Sequence, residues 1–517
     1  MLLTDFQVQS FIRSGLMKIE LPDLDPIHHQ VDTRLRELTE MESHHGNNIL
    51  PRMPILQHVL RHEKVHGALT SLLGSDYLVH PHRAIHRSTP LEDRGVDFSM
   101  DSNAHVMGVG STATSLWHQD AQSPLARARH HFPKFLLGFY FPHEVDSSMG
   151  PTRFLRASYC DNGPDQTRSI YQPEHVRAGT FFLAHFDIAH AGFPNFSDHD
   201  RYMLKFVFAR TRSTTSPSWN NQSEDWAPGE NREGESSLYQ PAASYIWNRM
   251  LGKTSRELVS GRTSPGVSTE LSAQDERLRS IYCSQDGLSP EDCVESLKTF
   301  VGQGKHERKQ ENLRDSTRGY PIRWNERAIV MEIGAYRLAA LGDQSAEAVC
   351  ALIESGDPWL QVNAAFVAGE IADSKSELSA LVAKLLESPH QQVVRQAIDA
   401  LAFMQSPDSQ KVLQRLERLV SQRQPSWQSA QVQRGWTATD QIDLNIATLL
   451  LAKCEEWESD DVMAISVKML ERSNDYASSI VAEAMIRSGS LKAQKHAIRY
   501  YQDRAWNTSL LGKDRAY

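Results

Sequence analysis

Hydrophobic residues in the first 210 positions fall in short runs rich in aromatic and branched side chains. Three such runs, KFLLGFYF (134–141), GTFFLAHF (179–186) and YMLKFVFAR (202–210), predict strands. Apolar residues at helical spacing predict helices over 5–15 and 54–74. Many short strands separated by polar turns are typical of a β-sandwich or a barrel.

From about residue 272 the apolar positions recur with helical periodicity, and the pattern repeats. The segments 335–343, 365–373 and 397–405 align at offsets of 30 and 32 residues, with a looser continuation at 475–489. Small residues on one helix of each unit and polar turns between units resemble short HEAT-type repeats. This pattern predicts an α-solenoid of stacked helix pairs; a non-repeating helical bundle is the alternative.

Between these regions the chain is rich in Ser, Asn, Gly and Glu over 211–238, a composition typical of a loop or linker. Trp219 and Trp226 interrupt it, so part of this stretch is expected to dock on a surface. Residues 239–252 predict one helix that ends at Gly252. We therefore divide the chain into residues 1–212, a linker over 213–270 with a short helix near 239–252, and residues 271–517.

Composition narrows the function classes. With 40% hydrophobic and 23% charged residues the chain is expected to be globular, and a formal net charge of −9 gives no basic face for a nucleic acid. Five scattered cysteines without a CxxC pair argue against a disulfide framework or a zinc knuckle and favour a reducing compartment. The N-terminus lacks the apolar run of a signal peptide, and no stretch approaches ~20 apolar residues. We expect a cytoplasmic protein without membrane or nucleic-acid partners.

The candidate chemistry begins at WHQDAQ (117–122). Side chains alternate along a strand, so His118 and Asp120 share one face, whereas Trp117 and Gln119 point to the other and are expected to support the strand. An HxD pair alone is weak evidence in a chain with 22 histidines, and an ordinary polar dipeptide is the competing interpretation. Two histidines and one carboxylate on one face of an octahedron would give the arrangement of non-haem Fe(II) oxygenases.

The third ligand has to come from a distant segment. Residues 184–206 offer His185 and His190, and Arg201 follows His190 by eleven residues at the start of an apolar run. If a metal chelates a 2-oxo acid, its far carboxylate needs a fixed cation, and a guanidinium suits that bidentate geometry better than an ammonium.

The segments WHQD, GPTRFLRASY (150–159) and HAGFPNFSDHDR (190–201) together resemble the phytanoyl-CoA dioxygenase family of Fe(II)/2-oxoglutarate oxygenases. The resemblance covers about residues 1–210 and implies an α+β multidomain protein. Its N-terminal part would be a double-stranded β-helix (jelly roll, cupin-like), followed by the all-α HEAT-like solenoid. The family spacing from the distal His to the co-substrate Arg fits His190, so His185 is assigned to the pocket wall or the structure.

The same resemblance assigns the site residues. It implies that Fe(II) is held by a catalytic triad of His118, Asp120 and His190. It implies that 2-oxoglutarate is bound by Arg201, with Gly192 and Phe139 beside it, and that O2 is the oxidant.

The activity implied is a 2-oxoglutarate-dependent dioxygenase that hydroxylates a small-molecule metabolite with release of succinate and CO2. Desaturation or ring formation at the same site stays open. One alternative is a protein or peptide hydroxylase whose helical repeats capture a protein partner; another is a non-catalytic interaction scaffold.

Nearby positions leave the substrate undefined. The family's Pro-Gly-Ser-His turn is replaced by residues 156–159, Arg-Ala-Ser-Tyr, in a region that borders the substrate pocket. Arg153 and Arg156 are expected to meet an anionic substrate or to be solvated on the surface. His130 and His131 are expected in a solvated loop or at a pocket gate.

Overall fold

Among the described residues the strands lie before residue 210, apart from one short hairpin, and most helices lie after it. In this computed structural model the described residues are 1–41, 47–90, 117–120, 127–165, 167–227, 229, 235–253, 271–283, 289–303, 328–371, 376–404, 409–429, 431–433, 436–457 and 460–504. None of the described helices is long and apolar enough to cross a membrane.

Five antiparallel strands form the larger sheet, in the order β1-β8-β3-β10-β2. Their bounds are β1 Leu16–Glu20, β2 Leu78–Ser88, β3 Phe135–Phe141, β8 Thr180–His185 and β10 Arg201–Ala209. The three strands predicted from aromatic-rich runs are confirmed as β3, β8 and β10. They occupy the middle of the sheet, where nearly every side chain is buried.

A smaller antiparallel sheet, in the order β6-β5-β9, faces the larger one. Its strands are β5 Arg153–Leu155, β6 Ile170–Tyr171 and β9 His190–Ala191; β4 Val145–Asp146 and β7 His175–Val176 form a separate pair. The ring of Phe154 lies 5.1 Å from that of Phe139 and 5.7 Å from that of Phe182, both on the larger sheet. The sheets therefore enclose a common aromatic core, and the double-stranded β-helix stays a prediction.

Five helices precede and follow β1: α1 Asp5–Ser14, α2 Asp25–Met41, α3 Ile49–Arg52, α4 Leu56–Leu60 and α5 Glu63–Leu73. The helix predicted over 5–15 is confirmed as α1, which Thr4 caps and which ends at Gly15 with φ +75°. The single helix predicted over 54–74 is wrong, because α4 and α5 are separate. His62 adopts a non-helical ψ of 136° and its ring accepts a hydrogen bond from the backbone of Lys64, so it caps a new helix.

The polar stretch after the sheet is packed against the N-terminal helices. Trp219 is buried, its ring lies 5.1 Å from that of Trp247, and its Nε1 donates to the carboxylate of Asp5 at 2.6 Å. Trp247 belongs to α6, Gln240–Met250, the helix predicted over 239–252. The docking expected of Trp219 is thus seen, and its anchor is an acidic residue of the first helix turn.

The C-terminal region consists of stacked helices. Their bounds are α7 Ala273–Tyr282, α8 Pro290–Gly302, α9 Ile333–Leu341, α10 Ala346–Glu354, α11 Pro358–Ile371, α12 Ser376–Lys384, α13 Gln391–Phe403, α14 Ser409–Ser421, α15 Pro425–Ser429, α16 Ala438–Lys453, α17 Asp460–Arg472, α18 Asp475–Arg487 and α19 Leu491–Asp503. Helices α9, α11, α13, α16 and α18 form an inner row in which each packs against the next. The repeats read from the sequence are α9, α11 and α13, as the solenoid prediction requires.

Close helix contact explains the small residues of these repeats. A Cβ on Gly369 in α11 would lie 2.9 Å from the Cα of Ala400 in α13. The fourth inner helix, α16, escaped the sequence alignment because α14, α15 and the hairpin β11 Gln431–Gln433/β12 Trp436–Thr437 lengthen the connection. The inner row therefore continues past the point where the 30-residue spacing ends.

The sheets and the helical row share a buried interface. Leu78, Ala128 and Ala209 belong to the hydrophobic core of the helical region, and Ala128 forms a parallel bridge with Ile329. At the same interface Glu370 of α11 meets cations from the first part of the chain. The two regions are therefore packed as one body in the described part of the chain.

Candidate metal centre

The predicted triad is brought together where residues 117–120 run beside β9. His118 and His190 form an antiparallel bridge, with N–O distances of 3.1 and 2.9 Å, so their side chains share one face. One ligand atom from each of His118, Asp120 and His190 lies within 4.8 Å of the others. The donor set, two imidazoles and a carboxylate, suits a divalent transition metal.

Gln119 holds this segment from behind, as alternation along a strand predicts. Its amide nitrogen donates to the carbonyls of Asp187 at 2.8 Å and Ser158 at 3.2 Å, and its oxygen accepts from Gly163 at 3.2 Å. Trp117 is buried in a small apolar cluster on the same outer face. The two residues flanking His118 therefore fix the strand that carries the ligands.

His190 offers a neutral imidazole to the site. Its Nδ1 lies 3.1 Å from the carbonyl oxygen of Ile188, which assigns the proton to Nδ1 and leaves a lone pair on Nε2. Burial, followed by the charge of Lys205, holds the pKa of His190 well below its usual range. The ring of Phe139 packs edge-on at 5.3 Å and that of Phe154 lies at 6.4 Å. Phe139 therefore lies beside the candidate ligand His190, and its expected place beside 2-oxoglutarate stays a prediction.

Lys205 enters the site from β10 and was missed in the sequence analysis. Its Nζ forms an ion pair with Asp120 Oδ2 and lies 3.2 Å from His190 Nε2. Burial alone would raise the pKa of Asp120, but Lys205 and then His190 and His118 lower it below its usual value. A signal existed in the sequence: Lys205 interrupts an apolar strand four residues after Arg201, which places both on one face.

Arg201 lies about 13 Å further along the same face, at the start of β10. Its side chain is 6% exposed, and its Nη1 donates to the carbonyls of Met149 at 3.3 Å and Phe193 at 3.5 Å. Burial lowers its pKa to about 10, so it stays charged at neutral pH. No carboxylate within the described residues pairs with it. A buried, charged guanidinium of this kind is suited to an incoming anion.

Two further predicted residues have different outcomes. Gly192 directly follows β9 and is half-buried, and its role stays a prediction. His185 is buried under Tyr159, with stacked rings 4.3 Å apart, and its Nδ1 accepts from the backbone N–H of Asp187 at 3.1 Å. Burial lowers the pKa of His185 to about 4. His185 is thus a structural residue rather than a ligand of this centre.

Arg153 begins β5 and Arg156 directly follows it, and their side chains lie in different environments. Arg153 is fully buried, with its guanidinium 5.0 Å from the Trp117 ring and 4.8 Å from the Phe193 ring. Arg156 is half-buried and pairs with Glu235 at 3.1 Å. Arg153 therefore joins the segments that carry His118 and His190 through cation–π contacts.

The expectation that His130 and His131 lie in a solvated loop or gate is wrong. Both are buried at the interface with the helical region. His130 Nδ1 lies 2.6 Å from a carboxylate oxygen of Glu370, and the His131 ring stacks on Tyr336 at 4.3 Å. A helical domain packed on this segment, invisible in the local sequence, converts apparent loop residues into core.

The turn over residues 156–159 holds the smaller sheet to α1. Ala157 adopts a left-handed φ of 62°, and the hydroxyl of Tyr159 donates to the carbonyl of Ile12 at 2.6 Å. Ser158 Oγ accepts from the backbone of Ala189, next to His190, at 2.8 Å. This turn supports the ligand-bearing segment through its backbone.

The histidines of β2 lie on the other side of the site. In the β2–β10 register His86 pairs with Met203 and Ala84 pairs with Lys205. Because paired residues share a face of the sheet, these alternate β2 residues lie on the same face as Lys205, toward the space between the sheets. His82 Nδ1 lies 3.2 Å from the hydroxyl of Tyr476 at the start of α18. Their period-two spacing was visible in HPHRAIH (80–86), but only the fold shows that the helical region reaches this wall.

A buried charge cluster connects the ligand segment to the helical region. Asp187 pairs with Arg129 at 2.5 Å and with Arg127 at 3.4 Å, and Arg129 also donates to the backbone carbonyl of Asp120 at 3.3 Å. The hydroxyl of Tyr336 donates to the carbonyl of Arg129 at 2.8 Å. Arg129 therefore links α9 to the backbone of the candidate ligand Asp120.

Over residues 346–430 the chain matches the family model of HEAT repeats. Among curated proteins, no sequence matches this chain. Among solved structures, it is similar to the ThoJ–Ni complex, a non-heme monooxygenase (16% identity, 47% of this chain and 95% of that chain, TM-score 0.30). It is also similar to HygX from Streptomyces hygroscopicus with nickel and 2-oxoglutarate bound (12%, 46% and 96%, TM-score 0.30). A third is the non-heme alpha ketoglutarate dependent epimerase SnoN from nogalamycin biosynthesis (14%, 40% and 81%, TM-score 0.29). The family match supports the helical repeats predicted for this part of the chain.

Proposed function

We propose that the protein is an Fe(II)- and 2-oxoglutarate-dependent oxygenase that oxidises a small molecule between its two sheets. The observation that carries the proposal is the convergence of His118, Asp120 and His190 with ligand atoms within 4.8 Å of one another. Three protein ligands on one side of a metal leave positions for a co-substrate and O2. When bound, iron and 2-oxoglutarate would supply oxidative chemistry, with succinate and CO2 as the by-products.

The chain's own residues would act by binding and orientation. Asp120 would contribute the anionic ligand and His190 a neutral one, since the proton of His190 is assigned to Nδ1. Arg201 would anchor the far carboxylate of 2-oxoglutarate, because within the described part of the chain its buried guanidinium donates to backbone carbonyls and to no carboxylate. Phe139 and Phe154 would exclude water from the ligand His190.

The test is 2-oxoglutarate turnover with and without Fe(II), measured as succinate. Wild-type protein should form succinate only when Fe(II) is present, and His118→Ala and Asp120→Ala should abolish it. His175→Ala is the matched control, because this β7 histidine is 49% exposed and lies on a separate strand pair. Undiminished turnover in His118→Ala would refute the proposal.

A second candidate, the non-catalytic scaffold, is favoured by one observation: the ammonium of Lys205 already neutralises Asp120. In a scaffold this ion pair would replace a metal permanently. The HEAT repeats at 346–430 would then provide the working surface, since such repeats offer extended concave faces to proteins. The scaffold predicts no metal binding under any condition, whereas the oxygenase requires it.

The protein hydroxylase is a variant of the main proposal. Tyr476 of α18 contacts His82 on the site wall, so a polypeptide held by the helical row would end near the triad. Small-molecule and peptide substrates can be distinguished by substrate-dependent stimulation of succinate formation with metabolite pools and with peptide pools. We propose the small molecule as the substrate class, and the oxidised position stays open.

A further inference from the structure

The ammonium of Lys205 contacts two of the atoms that would bind a metal at the triad. Its side chain is 11% exposed, its Nζ pairs with Asp120 Oδ2, and the same nitrogen lies 3.2 Å from His190 Nε2. The ring of Phe139 lies below it, with its centroid 5.3 Å from Nζ. The ammonium of Lys205 is therefore held between two members of the triad and is not a solvated surface cation.

The lone pair of His190 Nε2 cannot serve two partners at once. Because Nδ1 donates to Ile188, Nε2 is the acceptor, and it binds either an N–H of Lys205 or a metal ion. Asp120 Oδ2 likewise binds either the Lys205 ammonium or a metal ion. The second carboxylate oxygen, Oδ1, lies 3.8 Å from His118 Nε2, on the side of the other candidate ligands. A divalent ion and an ammonium so close together would also repel each other.

We propose that Lys205 is a built-in cation that closes the metal site, so that metal loading is an exchange in which its ammonium leaves Asp120 and His190. This inference rests on the proposed function, because it assumes that the triad binds a metal. It adds that Lys205 neutralises Asp120 whenever the metal is absent. It also means that metal affinity is set by a residue outside the ligand set.

The test is a Co(II) titration of metal-free full-length protein, followed by calorimetry and by the visible spectrum of the bound ion. Lys205→Met keeps an unbranched side chain and removes the charge, so it should bind Co(II) at least tenfold more tightly than wild type. Lys18→Met is the control, since Lys18 is an exposed β1 residue with a surface partner, and its affinity should equal that of wild type. Lys205→Gln provides a second neutral variant if the methionine variant does not fold.

The outcomes separate the two claims. Equal Co(II) affinity in wild type and both neutral variants would overturn the exchange while leaving the metal site intact. Absence of Co(II) binding in all of them would overturn the proposed function and the exchange with it. Tighter binding in the neutral variants, with an unchanged Lys18→Met control, would support both.

A second readout tests displacement rather than simple repulsion. If metal binding frees the ammonium, then reductive methylation of Lys205, followed by mass spectrometry, should rise at least severalfold when Co(II) is added. Methylation of Lys18 should stay constant. Unchanged or reduced labelling of Lys205 would contradict the exchange even if Lys205→Met binds the metal more tightly.

Discussion

Replacing Glu370 with Gln should destabilise the protein at the interface between its two regions. Glu370 lies on α11 with a side chain only 4% exposed. Its carboxylate lies 2.6 Å from His130 Nδ1 and 3.1 Å from Lys134 Nζ, and it forms an ion pair with Arg249. His130 and Lys134 belong to the N-terminal region and Arg249 to α6 of the linker, so one carboxylate of the helical region contacts both and balances the charges of Lys134 and Arg249.

The magnitude follows from what the substitution leaves behind. Glutamine keeps the volume and one acceptor, but Lys134 and Arg249 lose their counter-charge in a buried place. Removing one member of a buried ion pair typically costs about 3–5 kcal/mol. Since the amide oxygen still accepts a hydrogen bond, we expect the lower end, about 3 kcal/mol.

The pH dependence has a definite sign. Burial would raise the pKa of Glu370, but Lys134, Arg249 and His130 together hold it well below the ordinary value of 4.5. A carboxyl group with a lowered folded-state pKa stabilises the protein fully above its unfolded pKa, and this stabilisation is lost as the pH falls through the folded-state pKa. The difference between wild type and Glu370→Gln should therefore be constant over roughly pH 7 to 8, where His130 is also neutral, and the contribution of the carboxylate should be lost in strongly acidic solution.

Urea unfolding, followed by circular dichroism and by tryptophan fluorescence, measures the effect. Glu377→Gln on the neighbouring α12 is the matched control, because Glu377 is exposed, and it should change stability by less than about 0.5 kcal/mol. A Glu370→Gln variant as stable as the control at neutral pH would refute the reasoning.

Three further results are expected. Arg201→Met should raise the KM for 2-oxoglutarate by at least roughly thirtyfold, because losing a buried charge pair typically costs about 2–5 kcal/mol. Arg87→Met, at an exposed position, is the control and should leave the KM unchanged. Equal KM values for the two variants would contradict the anchor role of Arg201. Gly369→Ala should lower the urea midpoint of unfolding, because overpacking against α13 costs about 1–3 kcal/mol and exceeds the helix-propensity gain of about 1 kcal/mol. Gly302→Ala is the control and should not lower the midpoint, because a Cβ at Gly302 would meet open space. Removing residues 271–517 should give insoluble or unfolded protein, since Leu78 would lose its packing; a soluble, cooperatively folding fragment would show that the interface is dispensable.

Local patterns predicted the elements whose signal is local. The central strands β3, β8 and β10 were predictable because their runs of aromatic and branched residues are buried on both faces of the sheet. The inner helices α9, α11 and α13 repeat at nearly constant spacing because each packs on the next. The break between α4 and α5 was missed because it depends on the cap provided by His62, which an apolar periodicity does not reveal.

The site was predictable where one segment determines its own geometry. Alternation placed His118 and Asp120 on one face and Gln119 on the other, and both statements agree with the contacts observed. Lys205 and Tyr476 were missed because their roles depend on which strand or helix packs opposite them. His130 was misassigned for the same reason: its burial comes from Glu370, 240 residues away.

The proposed function requires iron and 2-oxoglutarate to bind together at the triad. The most direct test is the visible absorption of the full-length protein under anaerobic conditions, with Fe(II) alone, 2-oxoglutarate alone and both. We predict a charge-transfer band in wild type only when both are present, and its loss in Asp120→Ala. A wild-type protein that shows no band at saturating concentrations, or an Asp120→Ala variant that keeps it, would show that the triad does not hold iron together with 2-oxoglutarate.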